Sequence, residues 1–170
     1  NLYTAAFGQN EAITPMQMAT AIAAIANGGY LVTPYIVDSI TDDAGNIISQ
    51  TDTSVRRQVI SEEVSQEILS MMENNVEPNG TLSIRHSCKN AYVAGYRIGG
   101  KTGSAETLED GRTIVSFMGF APADDPQVIV LMAYDTPKEA SPGSSYGTCG
   151  VYISGGAMAA PRAGELIAQI

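Results

Sequence analysis

Lys101-Thr102-Gly103-Ser104-Ala105-Glu106 is the stretch whose residue types and spacing could do chemistry. On an exposed strand, Lys101 supplies a cation and Thr102 a hydroxyl for a carboxylate. Gly103 adds no side chain, so a substrate can lie against the backbone as an extra strand. The Ser104 amide can then donate to a developing oxyanion, with the Ser104 hydroxyl beside it as a second carboxylate contact. Glu106 shares the face of Ser104 by the period of two and can line the same cleft. Taken alone, three residues of this kind also describe a Gly-rich strand carrying one solvated Lys.

The same residues close a second pattern. Gly95-Tyr96-Arg97-Ile98-Gly99-Gly100-Lys101-Thr102 matches G-x-x-x-x-G-K-[ST], the nucleotide phosphate loop, and the apolar run 128–134 followed by Asp135 imitates a metal-binding strand. A phosphate loop needs a helix beginning at its Lys-Thr, with the first amides aimed at the phosphates. Gly103 follows at once, and only residues 104–110 precede the Asp110-Gly111 turn, which leaves no room for that helix. The strand reading predicts an extended segment here, and the nucleotide reading a helix over 102–108.

The elements that must hold such a strand are legible around it. Residues 96–108, 113–121 and 127–134 are strand candidates joined by Asp110-Gly111 and Asp124-Asp125-Pro126. Connections this short force antiparallel pairing. Upstream, Thr14 caps a helix with Pro15 at its first position and Gln17 closing a capping box. Met18, Ile22 and Ile25 recur at helical spacing among alanines until Gly28-Gly29, so the helix is expected to be buried on several sides. Residues 35–40 and 46–49 form a hairpin about Asp42-Asp43-Ala44-Gly45-Asn46, and residues 56–60 add a short strand. Ser61 caps a second helix with Glu62 and Glu63 in its first turn and a stripe of Val64, Ile68, Leu69, Met72 and Val76, ending near Asn79-Gly80. Residues 81–90 read as a polar loop holding His86 and Cys88, and residues 136–150 as a Gly/Ser/Pro-rich loop. A last helix marked by Met158, Leu166, Ile167 and Ile170 is expected to reach the C-terminus, bent at Pro161.

Composition narrows the chemistry further. The chain has 170 residues, 44% of them hydrophobic, and a formal net charge of −9, which argues against a basic surface for nucleic acid. No apolar run approaches the ~20 residues of a membrane helix. Two cysteines, Cys88 and Cys149, and one histidine lack the count and spacing of a metal site. Neither a metal nor another cofactor is expected. The cysteines read as two free buried thiols slightly ahead of one disulfide. His86 reads as a solvated loop residue. The absence of an initial Met suggests a piece of something longer.

Lys-Thr-Gly on an edge strand is one mark of the penicilloyl-serine transferases. Three further segments join it in order: Phe7-Gly8-Gln9 running into Ile13-Thr14-Pro15-Met16-Gln17-Met18-Ala19 and Ala23-Ala24-Ile25-Ala26-Asn27-Gly28-Gly29; Ser116-Phe117-Met118-Gly119-Phe120-Ala121-Pro122; and Gly155-Gly156-Ala157-Met158-Ala159-Ala160-Pro161. From end to end the chain resembles class B penicillin-binding proteins, nearest the sporulation and division transpeptidases of Gram-positive bacteria. The resemblance implies an α+β fold with an antiparallel sheet flanked by helices. It implies a cell-wall D,D-transpeptidase at the outer face of the cytoplasmic membrane, membrane-anchored in its parent, which cross-links stem peptides ending in D-Ala-D-Ala and is acylated by β-lactams. It assigns Lys101 and Ser104 to catalysis and Thr102, Gly103, Ser104, Glu106 and Gln9 to substrate binding.

The resemblance also shows what these residues lack. No Ser is followed three residues later by Lys, and no Ser-x-Asn occurs; Ser54-Val55-Arg56-Arg57 offers only Arg, which stays protonated. Both marks lie upstream in the family, so residues 1–170 are expected to be the C-terminal part of the transpeptidase domain, inactive alone. The family's five-stranded sheet implies that two missing strands would pair along residues 127–134. That leaves an apolar edge through which this chain is expected to self-associate. A non-catalytic penicillin-recognising sensor keeps the same resemblance without cross-linking.

Overall fold

Thr14 opens the first helix through the expected reciprocal cap. Its Oγ1 accepts from the Gln17 amide at 3.2 Å, and its own amide donates to Gln17 Oε1 at 2.8 Å. Such a cap is worth about 1 kcal/mol. The structure, a computed structural model, describes residues 3, 8, 12–81, 87–106 and 112–170. Helix α1 spans Pro15–Ala26. It stops where Gly29 adopts φ 94° and lies so close to the next layer that a Cβ would sit 2.0 Å from the Ile60 carbonyl oxygen. Burial of α1 is less than its sequence suggests. Ala24 is buried and Ile22 and Ile25 pack inward, whereas Met16 is 56% exposed. The helix meets its neighbours with one face, and its Met16 side borders an open groove with Leu31, Val32 and Pro34.

Short strands follow. β1 (Tyr30–Leu31), β2 (Ser39–Thr41), β3 (Ile47–Gln50) and β4 (Arg57–Gln58) form two antiparallel pairs, β1 with β4 and β2 with β3. The β2–β3 turn is built on Asp42. Its Oδ1 accepts from the amides of Ala44 and Asn46, its Oδ2 from Asn46 Nδ2. These bonds, the Asn46 side chain first, hold the Asp42 carboxyl below the usual aspartate range.

Helix α2 spans Glu62–Val76, with Ser61 Oγ accepting from the Val64 amide at 3.3 Å and Glu62 and Glu63 against the helix dipole. Its buried face is Ser65, Leu69, Met72 and Val76, rotated from the expected stripe, while Val64 is exposed. The rotation is possible because the Ser65 hydroxyl donates to the Ile25 carbonyl at the end of α1, which offsets the cost of burying it. The helix ends at Val76, before Asn79-Gly80.

Residues 87–91 are a short 3-10 segment, Ser87–Ala91, rather than loop. Cys88 and Ala91 are buried there. The main sheet is β5 (Gly99–Glu106), β6 (Thr113–Ala121) and β7 (Val128–Asp135) in the order β5-β6-β7, all antiparallel. Register runs from Gly99 opposite Phe120 to Glu106 opposite Thr113. The first strand begins three residues later than its composition suggests, because Gly95 with φ 90° turns the chain and the Tyr96 amide donates to the Val93 carbonyl. Among the described residues, β6 is the only strand paired with either β5 or β7.

Each face of this sheet carries its own apolar cluster. Phe120 and Ile129 pack with Leu69, Met72, Ile22 and Ile25, so α1 and α2 cover one face. Phe117, Val130, Val76 and Cys88 pack with Ala160, Ala163 and Ile167 on the other. Burying each phenylalanine contributes about 1.5–3 kcal/mol. The second cover is α3, Ala160–Ile167, entered through a π-helical turn, Gly155–Ala159. Pro161 sits in the first turn of α3, directly after the π-helical turn. The helix ends at Ile167, leaving Leu166 and Ile170 exposed.

The loop 136–150 is more ordered than its composition suggests. Bridges link Glu139 to Gly147 and Tyr146 to Tyr152, whose rings meet edge to face at 5.6 Å. Both cysteines are free, as expected, but only Cys88 is buried; Cys149 sits on this exposed loop.

Candidate functional site

Strand β5 is pressed flat at its start and bare at its end. A Cβ on Gly99 would lie 2.2 Å from Phe120 Cζ, and one on Gly100 would lie 2.2 Å from Phe117 Cζ. Only glycine lets the backbone touch both rings, one on each face of the sheet. Just before the strand, Arg97 forms a fork with Glu73 of α2, at 2.7 and 2.9 Å, and reaches Asp124 of the β6–β7 turn at 2.6 Å. The Glu73 hydrogen bonds hold the guanidinium proton more tightly than usual. The Arg97 carbonyl also accepts from the Ala123 amide at 2.9 Å. These contacts anchor the strand to two elements before its polar residues begin.

From Lys101 onward the residues are open or half-buried. Lys101 is exposed, and its Nζ donates to the Thr102 carbonyl at 2.8 Å. Alternation places Lys101 and Gly103 on the Phe120 face and Thr102, Ser104 and Glu106 on the Phe117 face. A ligand that reaches both the cation and the hydroxyls therefore lies across the strand edge rather than over one face. That edge is bare: among the described residues, no backbone hydrogen bond reaches it from another element. Gly103 keeps it accessible, since a Cβ there would meet only Ser116 Oγ, at 2.7 Å.

The structure brings Lys101, Thr102, Gly103, Ser104 and Glu106 together on one strand. Gln9 and His86 lie outside the described residues, as does the Asp110-Gly111 turn. Lys101 and Thr102 sit inside β5, so the helix that a phosphate loop requires does not form there and the nucleotide reading fails. No metal-holding cluster of His, Cys, Asp or Glu occurs among the described residues.

Three neighbours have no role in the sequence reading. The Cys88 thiol donates to Thr102 Oγ1 at 3.7 Å, the Gly155 amide donates to Ser104 Oγ at 3.4 Å, and Asn90 Nδ2 donates to the Gly156 carbonyl at 2.9 Å. The Gly155-Gly156 pair after Ser154 is visible as a motif, but nothing in the spacing says that it folds back onto β5.

With this geometry in view, comparison with known proteins identifies the class. The family described as the penicillin binding protein transpeptidase domain matches residues 1–150, and the chain belongs to it. Stage V sporulation protein D of Bacillus subtilis (strain 168) is 40% identical over 173 residues, which is 96% of this chain and 24% of that protein. The peptidoglycan D,D-transpeptidase FtsI homolog of Mesostigma viride is 34% identical over 149 residues, 78% of this chain and 24% of that one. Among solved structures, penicillin-binding protein A from M. tuberculosis, as a ceftriaxone acyl-enzyme complex, matches with a TM-score of 0.75 and 27% identity over 98% of this chain and 34% of that chain. The chain thus spans about a quarter of the length of these curated relatives. The α+β architecture expected from the sequence is that of the family.

Proposed function

We propose that these residues are the C-terminal part of a serine-type peptidoglycan D,D-transpeptidase domain, with β5 as the strand against which the substrate lies. The bare edge of β5, with a cation on one side and two hydroxyls on the other, is the observation that carries this reading. In the reaction, a serine supplied from outside these residues attacks the penultimate D-Ala carbonyl, the terminal D-Ala leaves, and an amine of a second stem peptide takes the acyl group. A β-lactam follows the first step by ring opening and stays attached. The substrate pairs along Gly103, Thr102 and Ser104 hold its carboxylate, and the Ser104 amide supplies half of the oxyanion hole. Lys101 organises charge and hydrogen bonds around the reacting serine, and Glu106 and Gln9 line the cleft.

Chemistry on stem peptides places the parent protein at the outer face of the cytoplasmic membrane. No described helix is long and apolar enough to cross a membrane. Alone, the chain self-associates through the β7 edge, where Val128, Ile129, Leu131 and Met132 are half-buried and no described strand pairs.

Fluorescent penicillin tests the reading. A protein carrying these residues together with upstream Ser-x-x-Lys and Ser-x-Asn should be labelled covalently, and the 170-residue chain should not. An unlabelled complete protein would overturn the assignment. Labelling without cross-linking of stem peptides would make it a sensor, and labelling of the chain itself would place a nucleophile within it.

A further inference from the structure

We propose that Cys88, Asn90 and the Gly155 amide form a latch that commits the Thr102 and Ser104 hydroxyls to donating outward. On the reading of β5 as the substrate strand, this makes Cys88 and Asn90 positioning residues for a carboxylate. A hydroxyl has one proton to give and two lone pairs to accept with. Thr102 Oγ1 accepts from the Cys88 thiol and Ser104 Oγ accepts from the Gly155 amide. Among the described residues, neither hydroxyl donates to a protein group. One acceptor site of each hydroxyl is thus filled from within the fold, while both protons are left for a ligand on the same strand face. The complementary group is one that only accepts, and an ionised carboxylate is such a group. A neutral ester at the same place offers weaker acceptors and no charge.

The two donors come from different elements, so their spacing needs fixing. Asn90 and Cys88 share the 3-10 segment, and Asn90 Nδ2 grips the Gly156 carbonyl of the π-helical turn at 2.9 Å. Gly155 itself is wedged: a Cβ there would lie 2.1 Å from the Ser116 carbonyl oxygen and 2.7 Å from that of Gly103. The amide that holds Ser104 is therefore set by close packing on β5 and β6. Cys88 is 2% exposed, which shields its weak thiol bond from competition by water.

The test compares acylation of the complete protein by benzylpenicillin and by its methyl ester, which differ in the carboxylate alone. Cys88→Ala and Asn90→Ala should each lower the acid-to-ester rate ratio about three- to tenfold, the scale of one lost hydrogen bond. Cys88→Ser, which keeps a donor, should recover part of the ratio. A purely structural role would slow both probes in equal proportion, so an unchanged ratio in the variants overturns the latch while leaving the transpeptidase reading intact. A wild-type protein acylated by neither probe overturns that reading and the latch with it. Should Cys88→Ala fail to fold, the Asn90→Ala ratio and the Cys88→Ser ratio decide the question.

Discussion

The two halves of β5 are built to opposite rules within a single strand. Gly99 and Gly100 are buried, and the missing side chains let Phe117 and Phe120 rest directly on the backbone. Lys101 to Glu106 are open or half-buried, and there the missing side chain of Gly103 faces only a serine hydroxyl. Glycine serves packing in the first half and access in the second. On the proposed reading of β5 as the substrate strand, Arg97 and the two buried glycines anchor the strand before its polar residues begin.

Gly100→Ala should give the largest effect. Its Cβ would lie 2.2 Å from a buried aromatic ring and 2.8 Å from the Met118 carbonyl oxygen, so overpacking should cost about 2–3 kcal/mol in a denaturant titration. A change below ~0.5 kcal/mol would break the contrast between the halves. Gly103→Ala should come next, with the emphasis reversed. Only the end of a serine side chain has to move, so stability should change by less than about 1 kcal/mol. Penicillin acylation of the complete protein should nevertheless fall at least ~10-fold, because a methyl group stands where the ligand backbone approaches. Equal losses of stability in the two variants would show that both glycines serve packing.

The smallest effect is a control away from β5. Asp42 has its folded-state pKa depressed by Asn46, so its contribution to the β2–β3 turn is present above the unfolded pKa and lost as pH falls through the lower, folded one. An NMR titration of the Asn46 amide should show a midpoint below the ordinary aspartate value, while β5 resonances stay unmoved. An ordinary midpoint would mean that the turn does not hold the carboxylate.

Residues of local consequence were the legible ones. Thr14, Pro15 and Gln17 announce a helix start because all three contacts close within one turn, and Asp42 to Asn46 announce a hairpin for the same reason. Lys101-Thr102-Gly103 was readable as a strand because the alternative lacked room for a helix. Readings failed where a partner is distant in sequence. Ser65 lies outside the apolar stripe read for α2, and it is buried with its hydroxyl on the Ile25 carbonyl, 40 residues earlier. Likewise, nothing near Cys88 or Gly155 in the chain reveals that they meet Thr102 and Ser104, 14 and 51 positions away. The π-helical turn that leads into Pro161 was equally hidden, since no residue type in Gly155 to Ala159 marks a closure five residues back.

That turn holds a residue in reserve. The Ala160 amide bonds back to the Gly155 carbonyl, five residues earlier, so the turn holds one residue more than an α-helical closure. A codon deleted between positions 156 and 159 would let the same turn close with ordinary α-helical winding, so the residues after it would keep nearly the same facing. Ala160, Ala163, Gly164 and Ile167 could then stay in the core. Descendants of this sequence can shed a residue there without re-addressing the last helix, provided the Gly155 amide keeps its place behind Ser104.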